Sequence, residues 1–386
     1  MRSRPLVVAL ACGLAAAAAA LAVVLVTISV ADWNVTVLVR MASEQPLAPL
    51  ARETDPEFAF VHYDGRGDGV AYYAVARDPL ARGQEHELIE WSSYRYTHPG
   101  FSWAAWLVTL GTPALIPYAF VLLNVVAMGV AGAAASLLSR ELGYTTWGGL
   151  SIALNPGLLY AATIDTTEPV AAALLAVGLL LWLRGAFTPA LPVLAALCFV
   201  KEWFVLVPAG LILWELLQRR RSGTRRFLRR AAGLAASTVP FALWYVYVVI
   251  HFRGWPAAPA GDLLQFPLTG WGRTARQAAD FGLQTFDRVV AGHLAVPVLA
   301  VVGLVFAIAT VRALRLRNPL HPVFLAFMPV VLSLNWLNLL YAKDLIRTLS
   351  IPLALVPAVI AGGEAWRERW LTSRRALDEG SESARA

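Results

Sequence analysis

Two aspartates four residues apart, Asp64 and Asp68, stand in a run of alternating glycines, Tyr63-Asp64-Gly65-Arg66-Gly67-Asp68-Gly69. The run leads into Tyr72-Tyr73 and, further on, Arg95-Tyr96-Thr97-His98-Pro99. Glycine adopts turn conformations that other residues resist, so such a run can present a carboxylate on a tight bend. A carboxylate held there can take a proton from an attacking hydroxyl, as a general base. Asp165-Thr166-Thr167-Glu168, Lys201-Glu202 and Lys343-Asp344 with Arg347 add three more mixed polar clusters. Lysine binds phosphate as a point charge and arginine as a two-pronged fork, which makes Lys201, Lys343 and Arg347 candidate phosphate ligands. No Ser-His-Asp spacing, HExxH or Cys/His ligand set occurs, and the glycines precede no strand–helix unit that would cradle a nucleotide phosphate. The expectation is therefore chemistry by side chains alone, with no cofactor and no metal ligand.

These residues are set in a chain of 386 residues that is 58% hydrophobic and 15% charged, with a mean hydropathy of +0.60. Soluble domains carry about 25% charged residues. Apolar segments recur, each long enough to cross about 30 Å of hydrocarbon. The expected class is an all-α polytopic membrane protein with nine or ten transmembrane helices. The net charge of +7 comes from arginines in short clusters between spans, which orient a membrane protein and give no reason to expect nucleic acid. Lysine is scarce, with thirty of the 32 basic residues being arginine, a bias typical of GC-rich bacterial genomes. The localisation expected is a bacterial inner membrane. Cys12 and Cys198 lie in apolar segments and imply neither a disulfide framework nor a metal site.

Arg2 and Arg4 place the N-terminus inside. Residues 1–31 form a first span, longer than the apolar core of a cleaved signal peptide. Residues 32–100 make a large extracytoplasmic cap, too rich in aromatics for a floppy loop. A bundle follows over 101–363, opening with a short apolar segment that Thr112-Pro113 ends. Full spans are expected near 114–138, 146–164, 169–184, 231–250, 292–311, 319–340 and 347–363, with a shorter pair at 188–200 and 203–217. A second outer loop covers 251–290, and a cytoplasmic tail 364–386, so both termini lie inside. Hydropathy and arginine placement alone define this topology, yet it sorts Asp64, Asp68, Asp165, Glu168, Lys201, Glu202, Lys343, Asp344 and Arg347 onto the outer face. Charges within or against apolar segments cost at least about 2.5–3.5 kcal/mol at mid-bilayer and usually face a cavity or one another. Tyr72, Tyr73, Trp91, Tyr94, Tyr96, Trp103 and Trp106 fit either an interfacial belt or a sugar-stacking surface.

The stretches Asp68-Gly69-Val70-Ala71-Tyr72-Tyr73 and Tyr94-Arg95-Tyr96-Thr97-His98-Pro99-Gly100 resemble the first outer loop of bacterial GT-C-type membrane glycosyltransferases. Asn155-Pro156-Gly157, Thr167-Glu168-Pro169 and Lys201-Glu202 extend the resemblance. It implies a polyprenyl-phosphate-linked sugar as donor and transfer on the outer face to an envelope glycan or lipid acceptor. It also implies Asp68 as base on the acceptor hydroxyl, with Asp64 as the fallback. Lys201, Arg347 and Lys343 would neutralise the lipid phosphate, and Glu168 and Glu202 would hold those cations or bind sugar hydroxyls. Tyr72, Tyr73, Arg95 and His98 complete the substrate-binding set implied. Ala71 departs from the pattern, since relatives carry an aromatic before the paired tyrosines. Two other classes fit the same outer charges: a transporter or flippase of a lipid-linked sugar, and a non-catalytic subunit of an envelope-assembly machine. A transporter tends to show an internal repeat and mid-membrane charges, and neither is evident here.

Overall fold

A computed structural model describes residues 4–62, 67–256, 264–280 and 286–361. Asp64, the 364–386 tail and parts of the second loop lie outside the described residues. Among the described residues the chain is all helical, with no strands and two isolated bridges, Ala42 with Val61 and Leu264 with Leu334.

Three helices are long and apolar enough to cross a membrane: Arg4–Ser29, Pro113–Glu141 and Thr224–His251. Five apolar helices are shorter: Glu168–Leu183, Phe187–Val200, Pro297–Ala313, Leu320–Ser333 and Ser350–Ile360. Of the nine or ten spans expected from sequence, three are helices of spanning length among the described residues, and two of the expected spans are broken. The segment 146–164 is broken into a 3-10 turn, Thr146–Gly149, and two short helices, Leu150–Ala153 and Pro156–Ala162. Asn155 causes the break. The following proline disfavours helix at Asn155 itself, and the Asn155 side chain then accepts from the N–H groups of Gly157 and Leu158 at 3.1 and 3.2 Å. Near 319–340, helix stops at Ser333 and restarts at Trp336. There the carbonyls of Leu332 and Ser333 accept from Leu268 and Gln265 of the second loop, at 2.7 and 2.6 Å.

Arg4–Ser29 and the 116–141 helix pack backbone to backbone. A Cβ on Gly13 would come within 2.7 Å of the Gly129 carbonyl, and one on Gly132 within 2.8 Å of that of Cys12. Small residues let the two backbones meet where apolar side chains gain nothing from leaving lipid. Cys12 is thus a buried helix residue, unpaired like Cys198.

The described residues of 32–100 fold into short helical pieces around Met41, Leu47, Phe58 and Tyr73, continuous with Phe101 and Phe120. Aromatic donors fasten this cap down. Trp103 Nε1 donates to Pro79 O at 3.0 Å and Tyr247 OH to Leu80 O at 2.7 Å. Trp244 Nε1 reaches Tyr96 O at 2.7 Å, and Tyr96 OH reaches Asp78 O at 2.7 Å. Tyr96 and Trp103 therefore spend their polar atoms on cap docking.

Candidate functional site

Asp68 is placed by glycines on either side. Gly67 N–H donates to Arg40 O at 3.1 Å. A Cβ on Gly69 would lie 2.7 Å from Val39 O and 2.9 Å from Ile164 O, so only glycine lets the Gly69–Arg77 helix start there. The carboxylate is gripped from two sides: Arg95 Nη1 lies 3.0 Å from one oxygen, and Arg347 Nη1 donates to the other at 2.8 Å. Burial alone would raise this acid, but Arg95 and then Arg347 outweigh it and hold Asp68 well below the usual carboxylate range.

Arg347 reaches Asp68 because of the broken segment described above. Its helix, Ala342–Thr348, presses against Gly157, where any side chain would collide with the Ile346 carbonyl. Asn155 Nδ2 donates to Ser350 O at 3.1 Å and fixes the far end of the same stretch. Asn155-Pro156-Gly157 is thus a positioning element for Arg347.

A second group adjoins the first. Gly100 packs against Phe199 and Val200 backbone, which brings His98 beside the chain leaving the Phe187–Val200 helix. There His98 Nδ1 lies 3.2 Å from Glu202 Oε2, and Tyr94 OH donates to Glu202 Oε1 at 3.3 Å. Thr97 Oγ1 also lies 3.0 Å from His98 Nδ1, but its one proton goes to Tyr94 O. Nδ1 must therefore carry the hydrogen in this arrangement. Burial opposes ionisation of Glu202, but His98, with help from Lys201, outweighs it and holds the acid at about 2. Lys201 Nζ lies 3.7 Å from Glu168 Oε1 and 5.1 Å from the centre of the Trp203 ring.

Tyr72 links the groups. It is buried, with its ring edge-on to His98 at 6.2 Å; burial first, then the charges of Glu168 and Asp68, push its phenol upward. An apolar cleft opens beside the cluster, lined by Trp203, Phe204, Phe327, Val331, Thr348 and Leu349.

Of the residues singled out by sequence, the fold gathers Asp68, Tyr72, Arg95, His98, Glu168, Lys201, Glu202 and Arg347 at one end of the bundle. Two others make no direct side-chain contact with this group among the described residues. Tyr73 is buried in the cap, its hydroxyl accepting from Arg77 at 3.0 Å and its ring against Phe58. Lys343 is exposed and makes no hydrogen bond or ion pair among the described residues. Asp64 cannot be placed, being outside those residues.

Two residues join that the sequence reading left out of the site. Arg40, a lone arginine between Val39 and Met41, takes a left-handed backbone (φ 57°) that ends the Val35–Val39 turn. Asp165, also left-handed (φ 47°), is fully buried with both carboxyl oxygens unpartnered. Burial pushes its acid well above the usual range, against a smaller pull from Arg40. Nor is Asp165 alone: Thr167 Oγ1, Glu168 Oε2 and the Nε atoms of Arg40, Arg95 and Arg347 are likewise buried without partners. Native proteins satisfy most such atoms, so a concentration of exceptions points to a place where something else binds. Among the described residues, no three His, Cys, Asp or Glu side chains group to hold a metal ion. No protein-family model matches this chain, and no curated protein matches it.

Proposed function

We propose that this chain is a membrane glycosyltransferase of the GT-C kind. It takes a sugar from a polyprenyl-phosphate donor and passes it to an envelope glycan or lipid acceptor on the outer face of a bacterial inner membrane. The observation that carries the proposal is Asp68 held between Arg95 and Arg347, residues from distant parts of the chain that meet under a folded cap. In the proposed reaction the acceptor hydroxyl gives its proton to Asp68 as its oxygen attacks the anomeric carbon of the donor sugar. The bond from that carbon to the phosphate oxygen breaks, and the polyprenyl phosphate leaves with the electron pair. Arg347 and Lys201 offset the charge that develops on the phosphate, an effect that strengthens where water is excluded. Glu168 holds Lys201, while Glu202 and Tyr94 orient His98 toward the sugar.

A second reading, a proton-coupled carrier of a lipid-linked sugar, draws on Asp165, because a buried carboxyl without a partner suits proton exchange. Mass spectrometry of envelope glycans separates the two. A strain lacking the gene, complemented with Asp68→Asn at normal membrane abundance, should lack the same sugar as the uncomplemented strain. Restoration of the full glycan by that variant refutes the transferase.

A further inference from the structure

Three features of the Asp68 ion pairs invite a question the proposed reaction leaves open. First, each guanidinium gives one terminal nitrogen to one carboxylate oxygen, although arginine is built to grip an oxyanion with two parallel bonds. Second, the Nε atoms of both arginines are buried and unused, which costs free energy unless a partner arrives. Third, the Asp68 side chain is 31% exposed, against 17% for Arg95 and 13% for Arg347, so the carboxylate is the outermost member of the trio. It can swing away by rotation about its own two side-chain bonds. The donor's phosphodiester presents two terminal oxygens, each able to accept from more than one N–H, and its tetrahedral shape lets both forks engage it; the departing phosphomonoester adds a third oxygen.

We infer that Asp68 occupies, in the unliganded protein, the guanidinium pair that a phosphate group takes on binding, so that seating the phosphate releases the carboxylate to act. This rests on the phosphate-bearing donor proposed above and gives that site an order of events. A carboxylate gripped by two arginines is a feeble base, as its depressed titration indicates. Once Arg95 and Arg347 turn to the phosphate, the same carboxylate regains its affinity for protons. Lys201 stays close enough to act on Asp68 electrostatically while paired to Glu168. Glu168 and Asp344 both bear on Arg347 and keep its charge in place during the exchange. The base is thereby silent until a donor is present, which spares the cell unproductive chemistry at an empty site.

Phosphate affinity tests the exchange, and its sign is unusual, because removing the proposed base must improve binding. Full-length protein in detergent is titrated with inorganic phosphate and, separately, with dodecyl phosphate; dodecanol serves as the uncharged control. Asp68→Asn should bind phosphate at least about fivefold more tightly than the unmodified protein, the lower end of ordinary coupling between sites. Arg347→Gln should weaken binding in either background. A gain for both ligands assigns the site to the phosphate group itself; a gain for dodecyl phosphate alone assigns it to a lipid headgroup. Equal or weaker binding by folded Asp68→Asn overturns the exchange, even if that variant has lost transfer activity. Tighter binding by Asp68→Asn when the unmodified protein itself transfers no sugar keeps the exchange and removes the transferase. Infrared difference spectra of the unmodified protein labelled with 13C-aspartate need no variant to fold. Saturating phosphate must shift an aspartate carboxylate band, and an unchanged spectrum overturns the inference.

Discussion

The Glu168–Leu183 helix has charged company at both ends, and the two differ in how completely they are paired. Beyond Trp182, Arg230 meets Glu215 at 2.7 Å and lays its guanidinium over the Trp182 and Phe187 rings, while Arg184 meets Glu141 at 2.9 Å. None of these four residues has a buried side-chain atom without a partner. At the Glu168 end, ion pairs run from 2.8 Å at Arg347–Asp68 to 3.7 Å at Lys201–Glu168, and buried donors and acceptors on Arg40, Arg95, Asp165, Thr167, Glu168 and Arg347 go unmatched. Charges that serve only the fold can be satisfied within it. A site for a polar ligand must keep some bonding capacity in reserve, and that costs stability. The contrast separates charges that are satisfied within the fold from charges that keep bonding capacity for a further polar partner.

Substitutions on the two sides should therefore fail differently. The largest expected effect is on activity: Asp68→Asn should slow sugar transfer by about 10²–10⁴-fold, the usual contribution of a general base, with little loss of folded protein. Assays at equal membrane abundance check this, and a variant that transfers normally would remove the distinction between the ends. Next comes stability at the far end. Arg230→Ala leaves Glu215, whose side chain is 4% exposed, without its partner. It should cost about 3–5 kcal/mol in thermal unfolding while specific activity per folded molecule holds. Arg184→Ala, in a pair with side chains 41% and 35% exposed, should cost no more than about 1 kcal/mol.

The smallest effect sharpens the comparison through pH. Glu202 is held at about 2 from an ordinary value of 4.5 by His98 and Lys201, against burial. A lowered acid stabilises the fold fully above its ordinary value, and that contribution fades as pH falls toward the lowered one. The melting temperature of the unmodified protein should thus exceed that of Glu202→Gln at pH 7, with the gap closing between pH 4.5 and 2. A gap that stays constant over that window would mean Glu202 is not held by charge.

Much of this division was visible in the sequence, for a physical reason. Charges are so few and so costly in an apolar chain that their clustering at Lys201-Glu202 or near Arg347 stands out without any structure. Partners were less visible. Hydropathy sees Leu150 to Ala162 as one apolar stretch and misses that Asn155 caps a new helix whose Gly157 seats the Arg347 segment. Tyr72 and Tyr73 are neighbours of nearly equal chemistry, but successive helical residues point about 100° apart, so one faces the cluster and the other the cap core. Arg40 stands alone among the mostly apolar residues Val35 to Met41, with no charged neighbour to mark it. Its left-handed turn is a product of tertiary packing, on which local pattern is silent.

Dodecyl phosphate binding across a set of charge-removing variants addresses the contrast between the ends most directly. Arg95→Gln, Arg347→Gln and Lys201→Gln should each weaken the ligand, whereas Arg184→Gln and Arg230→Gln, compared as folded fractions, should leave its affinity unchanged. Equal weakening by all five, or by none, would contradict the assignment of one end to ligand and the other to fold.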